Sequence, residues 1–268
     1  MAAMTRFDRD TAVRALGDGR YEGRIDPGWF VVRGPNGGYI AALMLRALTD
    51  RVNDPARAPR SLTVHYTAPP VEGPAWIETT IERSGRSLTS VSARLLQGDR
   101  LLALALAAFS LPREATSFRD VSPPQVPPPE QCLELPRRIP IHERFEQRWA
   151  IGSLPFSGGE IALSGGWIRL AEGTRPLDAP LAAAFSDAWP PAVFGRLSER
   201  QMTGGVPTID LTIHFRSALP PADVAPGDFA LCVFRSRYAR DGFLEEDGEI
   251  WSASGELLAH SRQLALLL

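Results

Sequence analysis

The chain has 268 residues, 44% of them hydrophobic, enough for one large domain or for two at roughly 100–200 residues each. A formal net charge of -2 and a pI near 6.1 argue against a nucleic-acid surface, and no basic cluster interleaved with aromatics occurs. The opening residues, Met-Ala-Ala-Met-Thr-Arg-Phe-Asp-Arg-Asp, have no apolar core of a signal peptide, so a cytoplasmic protein is expected.

In chain order, Phe7 to Leu16 reads as a short amphipathic helix, and Tyr21 to Val32 carries strand-like aromatics and valines. Arg33-Gly34-Pro35-Asn36-Gly37-Gly38-Tyr39 then turns into an apolar helix reaching Leu48, in which Arg46 is the one polar residue. A helix hydrophobic nearly all round is swallowed by its own domain, and this one is too short for a bilayer, which asks for about 20 apolar residues. Gly37 and Gly38 leave the amides of the helix start uncovered, an end that can hold negative charge; the same turn equally suits a helix packed closely on a sheet. Four alternating runs follow: Ser61–Tyr66, Ala75–Arg83, Leu88–Leu96 and, after the hairpin signal Gln97-Gly98-Asp99-Arg100, Leu101–Ser110. One buried helix followed by antiparallel strands is an α+β pattern.

Between Pro112 and Pro140 the composition changes, and Ser122-Pro123-Pro124-Gln125-Val126-Pro127-Pro128-Pro129 suits neither a helix interior nor a central strand. We read residues 113–140 as a Pro-rich linker between an N-terminal unit, 1–112, and a C-terminal unit, 141–268. The first unit returns in the second. Pro207 to Pro221 echoes Pro59 to Pro70 with His214 matching His65, Ser254–Ala259 echoes Gly98–Ala103, and Ala179–Trp189 stands where the central helix should recur.

The copies differ in their polar residues. Asp187 falls opposite Leu45, and Gln263 falls opposite Ala107. A carboxylate within a core-like helix needs partners, because an unpaired buried one costs several kcal/mol or takes up a proton; alternatively Asp187 sits at a helix end before Pro190-Pro191. Gln263 on an alternating strand can also face solvent, and Thr208 opening its strand is unremarkable alone. His65 and His214 read as strand residues at matching positions. Cys132 and Cys232 lie far apart with no ligand-spaced neighbour, so neither metal nor cofactor is expected.

Taken together, the Gly-Gly helix head, the long Pro-rich connection, Gly166-Trp167-Ile168-Arg169, Ser186-Asp187, Pro207-Thr208-Ile209-Asp210 and Gln263 resemble the type II acyl-CoA thioesterase family over nearly the whole chain. The resemblance implies a double hot-dog, two antiparallel sheets each wrapped round a central helix. It also implies an acyl-CoA substrate and an Asp, Thr and Gln that hold the attacking water, here Asp187, Thr208 and Gln263. On this reading the amides near Gly37 and Gly38 receive the oxyanion, with Asn36 a possible further donor and turn former, and Tyr39, Leu43, Phe185 and Trp189 are candidates to line the acyl chain. Each half then supplies one side of the site. A homodimer is expected by analogy. Two other functions fit the same pattern: a non-catalytic acyl-CoA or fatty-acyl binding protein, and a hot-dog hydratase or dehydratase using His65 or His214. No Gly-x-Ser-x-Gly elbow occurs.

Overall fold

The structure, a computed structural model, describes residues 4–32, 34–172, 174–201 and 205–268. Arg33 of the glycine-rich stretch lies outside the described residues.

The first half opens with helix α1 (Arg6–Asp10), which is shorter than the sequence pattern suggests. Thr11 caps it, and the chain then forms strand β1 (Arg14–Gly17), paired as a hairpin with β2 (Arg20–Ile25). The Gly17-Asp18-Gly19 tip takes positive φ at all three residues, a turn geometry that overrides the apparent helical period. After a short 3₁₀ turn at Pro27–Trp29, helix α2 (Gly37–Val52) begins at Asn36, whose side chain accepts the Tyr39 amide at 3.0 Å, and ends at left-handed Asn53. Every residue from Gly38 to Leu48 except Arg46 is buried. Arg46 leaves the core sideways, donating to Asp8 and Thr11 at 2.7 Å each.

Around α2 run β3 (Ala58–Tyr66), β4 (Gly73–Ser84), β5 (Leu88–Gln97) and β6 (Arg100–Ser110). Their alternation turns Leu62, Val64, Ile77, Val91 and Leu95 inward, and the small Ala103, Ala105 and Ala107 of β6 share that buried face.

The second half contributes β7 (Leu133–Glu134), β8 (Phe145–Gly152), β9 (Ala162–Leu170), helix α3 (Ala179–Phe185), β10 (Thr208–Phe215), β11 (Ala230–Ser236), β12 (Ala239–Arg240), β13 (Phe243–Ser252) and β14 (Leu257–Leu266). Instead of two separate sheets the described residues form one 14-stranded antiparallel sheet, ordered β1-β2-β4-β5-β6-β3-β10-β14-β13-β11-β9-β8-β7, with β12 on β13. The join is β3 against β10, the two copies of one strand. Thr63 faces Thr212 across it, their hydroxyls 3.0 Å apart, and Leu62↔Ile213 and Val64↔Leu211 flank that pair. Pairing a strand with its own repeat about these two threonines gives each half the other as cover for an exposed edge, which is why the sheet does not stop at the repeat boundary.

The Pro-rich stretch carries no helix or strand from 111 to 128 and lies on the second half: Trp167 Nε1 donates to Pro127 O at 2.8 Å, and Arg119 donates to Gly255 O at 2.6 Å. Its last part is not linker in form, since Leu133 and Glu134 pair with Trp149 and Arg148 of β8.

Candidate active site

Helix α3 is only seven residues long, so Asp187 is not inside a helix as the repeat alignment suggests. Ser186 caps the helix and Asp187 follows it, with Pro190 and Pro191 barring continuation. That end of α3 meets the start of α2. A Cβ on Gly38 would stand 2.6 Å from Ala184 O and 2.9 Å from Ala183 O, so only glycine permits this approach.

The approach delivers the partly buried Asp187 to the head of α2. Its Oδ2 accepts from the Gly38 amide at 3.1 Å and from Asn36 Nδ2 at 2.9 Å, while Asn36 Nδ2 also lies 2.5 Å from Asp187 O. The Gly37 amide and the Gln263 side chain lie against the same carboxyl and favour its ionised form. Burial pushes Asp187 from an ordinary 3.8 up to about 6, against the pull of these four donors. Tyr66 closes the near side: its hydroxyl donates to Gly37 O at 2.7 Å and is pushed well up by burial and then by the Asp187 charge.

This geometry corrects the oxyanion assignment. The amides of Gly37 and Gly38 converge on the Asp187 carboxylate and are not left open for a carbonyl oxygen, because the positive end of α2 draws the nearest fixed anion. Asn36 is both N-cap and carboxylate donor. Tyr39 does not line a substrate site. It is fully buried, stacked on Trp29 with ring centroids 5.1 Å apart, and its hydroxyl serves Asp10 O and Arg24 O at 2.8 Å each. Leu43, Phe185 and Trp189 are likewise core residues.

Thr208 and Gln263 do come together. Thr208 Oγ1 donates to Gln263 Oε1 at 2.8 Å, across the β10–β14 pairing in which Gln263 faces Leu211. Ala107 faces Leu62 in the first half, the position that repeats as Leu211, so the Ala107–Gln263 equivalence holds in the strand register.

One acidic member of the cluster escaped the sequence reading. Glu246 of β13 is buried, accepts Gln263 Nε2 at 2.9 Å and the Ala192 amide at 2.5 Å, and is pushed up to about 7, chiefly by burial. Its acidic surroundings, Glu245-Glu246-Asp247, read as a solvated run; the available signal was alternation, since Leu244, Glu246, Gly248 and Ile250 share the inward phase. His65 and His214 are exposed on the opposite face of the joined strands and bring no base to this cluster. Among the described residues no group of three or more His, Cys, Asp or Glu is placed to hold a metal ion.

An antiparallel sheet packed on a long buried helix, with a carboxylate held at that helix's head, is a hot-dog arrangement with an acidic group at its centre. Comparison with known proteins then gives the family. The model described as the acyl-CoA thioesterase N-terminal domain matches residues 25–110, and that of the acyl-CoA thioesterase C-terminal domain matches 119–267. The chain belongs to the acyl-CoA thioesterase family and is an acyl-CoA thioesterase. It is similar to a hot-dog protein of unknown function from Alicyclobacillus acidocaldarius, at 29% identity and a TM-score of 0.88, covering 99% of both chains. It is also similar in fold to an acyl-CoA thioesterase II, TesB2, from Mycobacterium marinum (20% identity, TM-score 0.79, 98% of each chain). A curated relative is the thioesterase-like protein TwmA of Talaromyces wortmannii, 22% identical over 329 aligned positions that cover 99% of this chain and 93% of that protein. No helix among the described residues is long and apolar enough to cross a membrane.

Proposed function

We propose that the enzyme hydrolyses acyl-CoA to free fatty acid and CoA with a water activated by Asp187 and directed by Thr208 and Gln263. The observation that carries this reading is the Asp187 carboxylate, held by donors from the other half of the chain and raised to about 6, the range in which a general base works near neutral pH.

The water gives one proton to Asp187 as its oxygen bonds to the thioester carbon, and the carbonyl π pair moves onto oxygen. Negative charge thus passes from the carboxylate to the oxyanion while staying in the field of the α2 head, so the site's net charge does not change during attack. Collapse of the intermediate breaks the C–S bond, and the Asp187 proton leaves on the CoA sulfur. We assign the two sides of the site to the two units of a double hot-dog, residues 1–112 and 141–268. The repeat register at Thr63 and Thr212 and the break between the two family matches support that division.

The test is a panel of acyl-CoA esters followed by a thiol reagent: CoA release from at least one chain length is expected, and none across the panel would remove this reading. Within it, Thr208→Val keeps the strand but deletes the hydroxyl, and should lower kcat by about tenfold, the loss expected for one hydrogen bond of the reacting set. A full-rate Thr208→Val enzyme would take Thr208 out of the water's hydrogen-bond set.

A further inference from the structure

Glu246 reaches the catalytic cluster from the side away from α2. Both its oxygens are occupied by N–H donors, Oε2 by Ala192 and Oε1 by Gln263 Nε2. Gln263 in turn takes the Thr208 hydroxyl on Oε1 and also lies against the Asp187 carboxyl, whose ionised form it favours. Its amide therefore stands between two acidic groups. Turned over, it would point its carbonyl oxygen at both of them and its N–H bonds at Thr208, so charge selects the observed orientation.

We propose that Glu246 is a positioning residue for thioester hydrolysis: its carboxylate locks the Gln263 amide so that Gln263 Oε1 takes the Thr208 hydrogen, leaving a Thr208 lone pair to accept one from the attacking water. The water then donates one hydrogen to Thr208 and the other to Asp187, and its free lone pair faces the substrate carbon. Reversing the Gln263 amide would reverse this order, making Thr208 a donor to the water's lone pair and blunting the nucleophile. The inference rests on Asp187 being the base.

Ionised Glu246 holds both donors best, because a proton on either oxygen makes that oxygen a poorer acceptor and must turn away from the N–H already there. Burial raises Glu246 to about 7, with the charges of Asp187, beyond the end of α3, and of neighbouring Glu245 adding to the rise. Tyr66, from β3, faces Asp187 on the other side. Full turnover thus calls for two carboxylates ionised, near 6 and near 7, and the two steps belong to the coupled pair.

The experiment is kcat and KM against pH, over about pH 5 to 8.5, for the unaltered enzyme and for Glu246→Gln and Asp187→Asn. In the unaltered enzyme log kcat/KM should fall on the acid side with a slope that rises above one over the interval in which both carboxylates take up protons. Glu246→Gln should lower kcat by about ten- to a hundredfold, with KM within about threefold. Its acid limb should have a slope of one and lie at lower pH, since a negative neighbour of Asp187 has gone. An acid limb whose slope nowhere exceeds one in the unaltered enzyme overturns the proposal, and that measurement stands even where Glu246→Gln does not fold. Unchanged kcat and acid limb in a folded Glu246→Gln also overturn it. If Asp187→Asn is inactive while Glu246→Gln is normal, only this inference fails; if Asp187→Asn still turns over, the assignment of the base fails first.

Discussion

Asp187→Asn is expected to cut kcat by about 10³-fold, within the usual contribution of a positioned general base, without lowering the melting temperature. The substitution keeps the shape and a side-chain oxygen for the Gly38 amide and Asn36, but it cannot accept the water's proton. Stability should move the other way. The folded carboxyl sits near 6, above its ordinary 3.8, so the native state binds the proton more tightly than the unfolded chain does. Ionising it therefore costs native stability, progressively from about pH 4 to pH 6, and that cost persists above. Asp187→Asn removes the cost, so its melting temperature relative to the unaltered enzyme should rise through that window and stay up at higher pH. Parallel thermal melts and thiol-release assays separate the two effects: loss of activity together with loss of fold would make Asp187 a structural residue, and retained turnover would remove it as base.

Asp187 and Gln263 stood out as polar where the repeat is apolar, a comparison that the β3–β10 and β10–β14 registers preserve in space, whereas Thr208 was unremarkable alone and was singled out by the family resemblance. What they touch was not legible. The glycine pair signals a close approach, but nothing local says that α3's end and the Asp187 carboxylate fill it, so the α2 amides were read as open oxyanion donors. Tyr39 fails for a related reason: a helix apolar on all sides does not reveal which residue faces the site, and this one turns to Trp29. The single sheet depends on Thr63 meeting Thr212, a pairing between segments far apart in the chain that strand alternation does not encode. Glu246 was hidden among like charges, where composition suggested solvent and only phase told otherwise.

Gly38→Ala should damage both stability and rate, and its contrast with Gly37→Ala tells which contact matters. An added methyl gains at most about 1 kcal/mol of helix propensity. At position 38 it would press on Ala184 O at 2.6 Å and Ala183 O at 2.9 Å, backbone atoms that cannot rotate aside, and overpacking of this kind typically costs about 1–3 kcal/mol and occasionally more. Because two rigid carbonyls are hit at once, the clash outweighs the propensity gain, and a net loss of about 1–2 kcal/mol corresponds to a melting temperature roughly 2–8 °C lower. The relief available is to slide the end of α3 away from α2, which draws Asp187 off the Gly38 amide and Asn36; a displacement near 1 Å at a reacting group can cost about a hundredfold in rate. At position 37 the new methyl would instead meet Asp187 Oδ2 at 2.9 Å and the Tyr66 ring at 3.1 Å, both side-chain atoms with some freedom to yield. Gly37→Ala should therefore lose activity with a smaller loss of stability. Equal melting of Gly38→Ala and the unaltered enzyme, read by circular dichroism, would show that the α2–α3 approach tolerates a methyl group and does not hold the base in place.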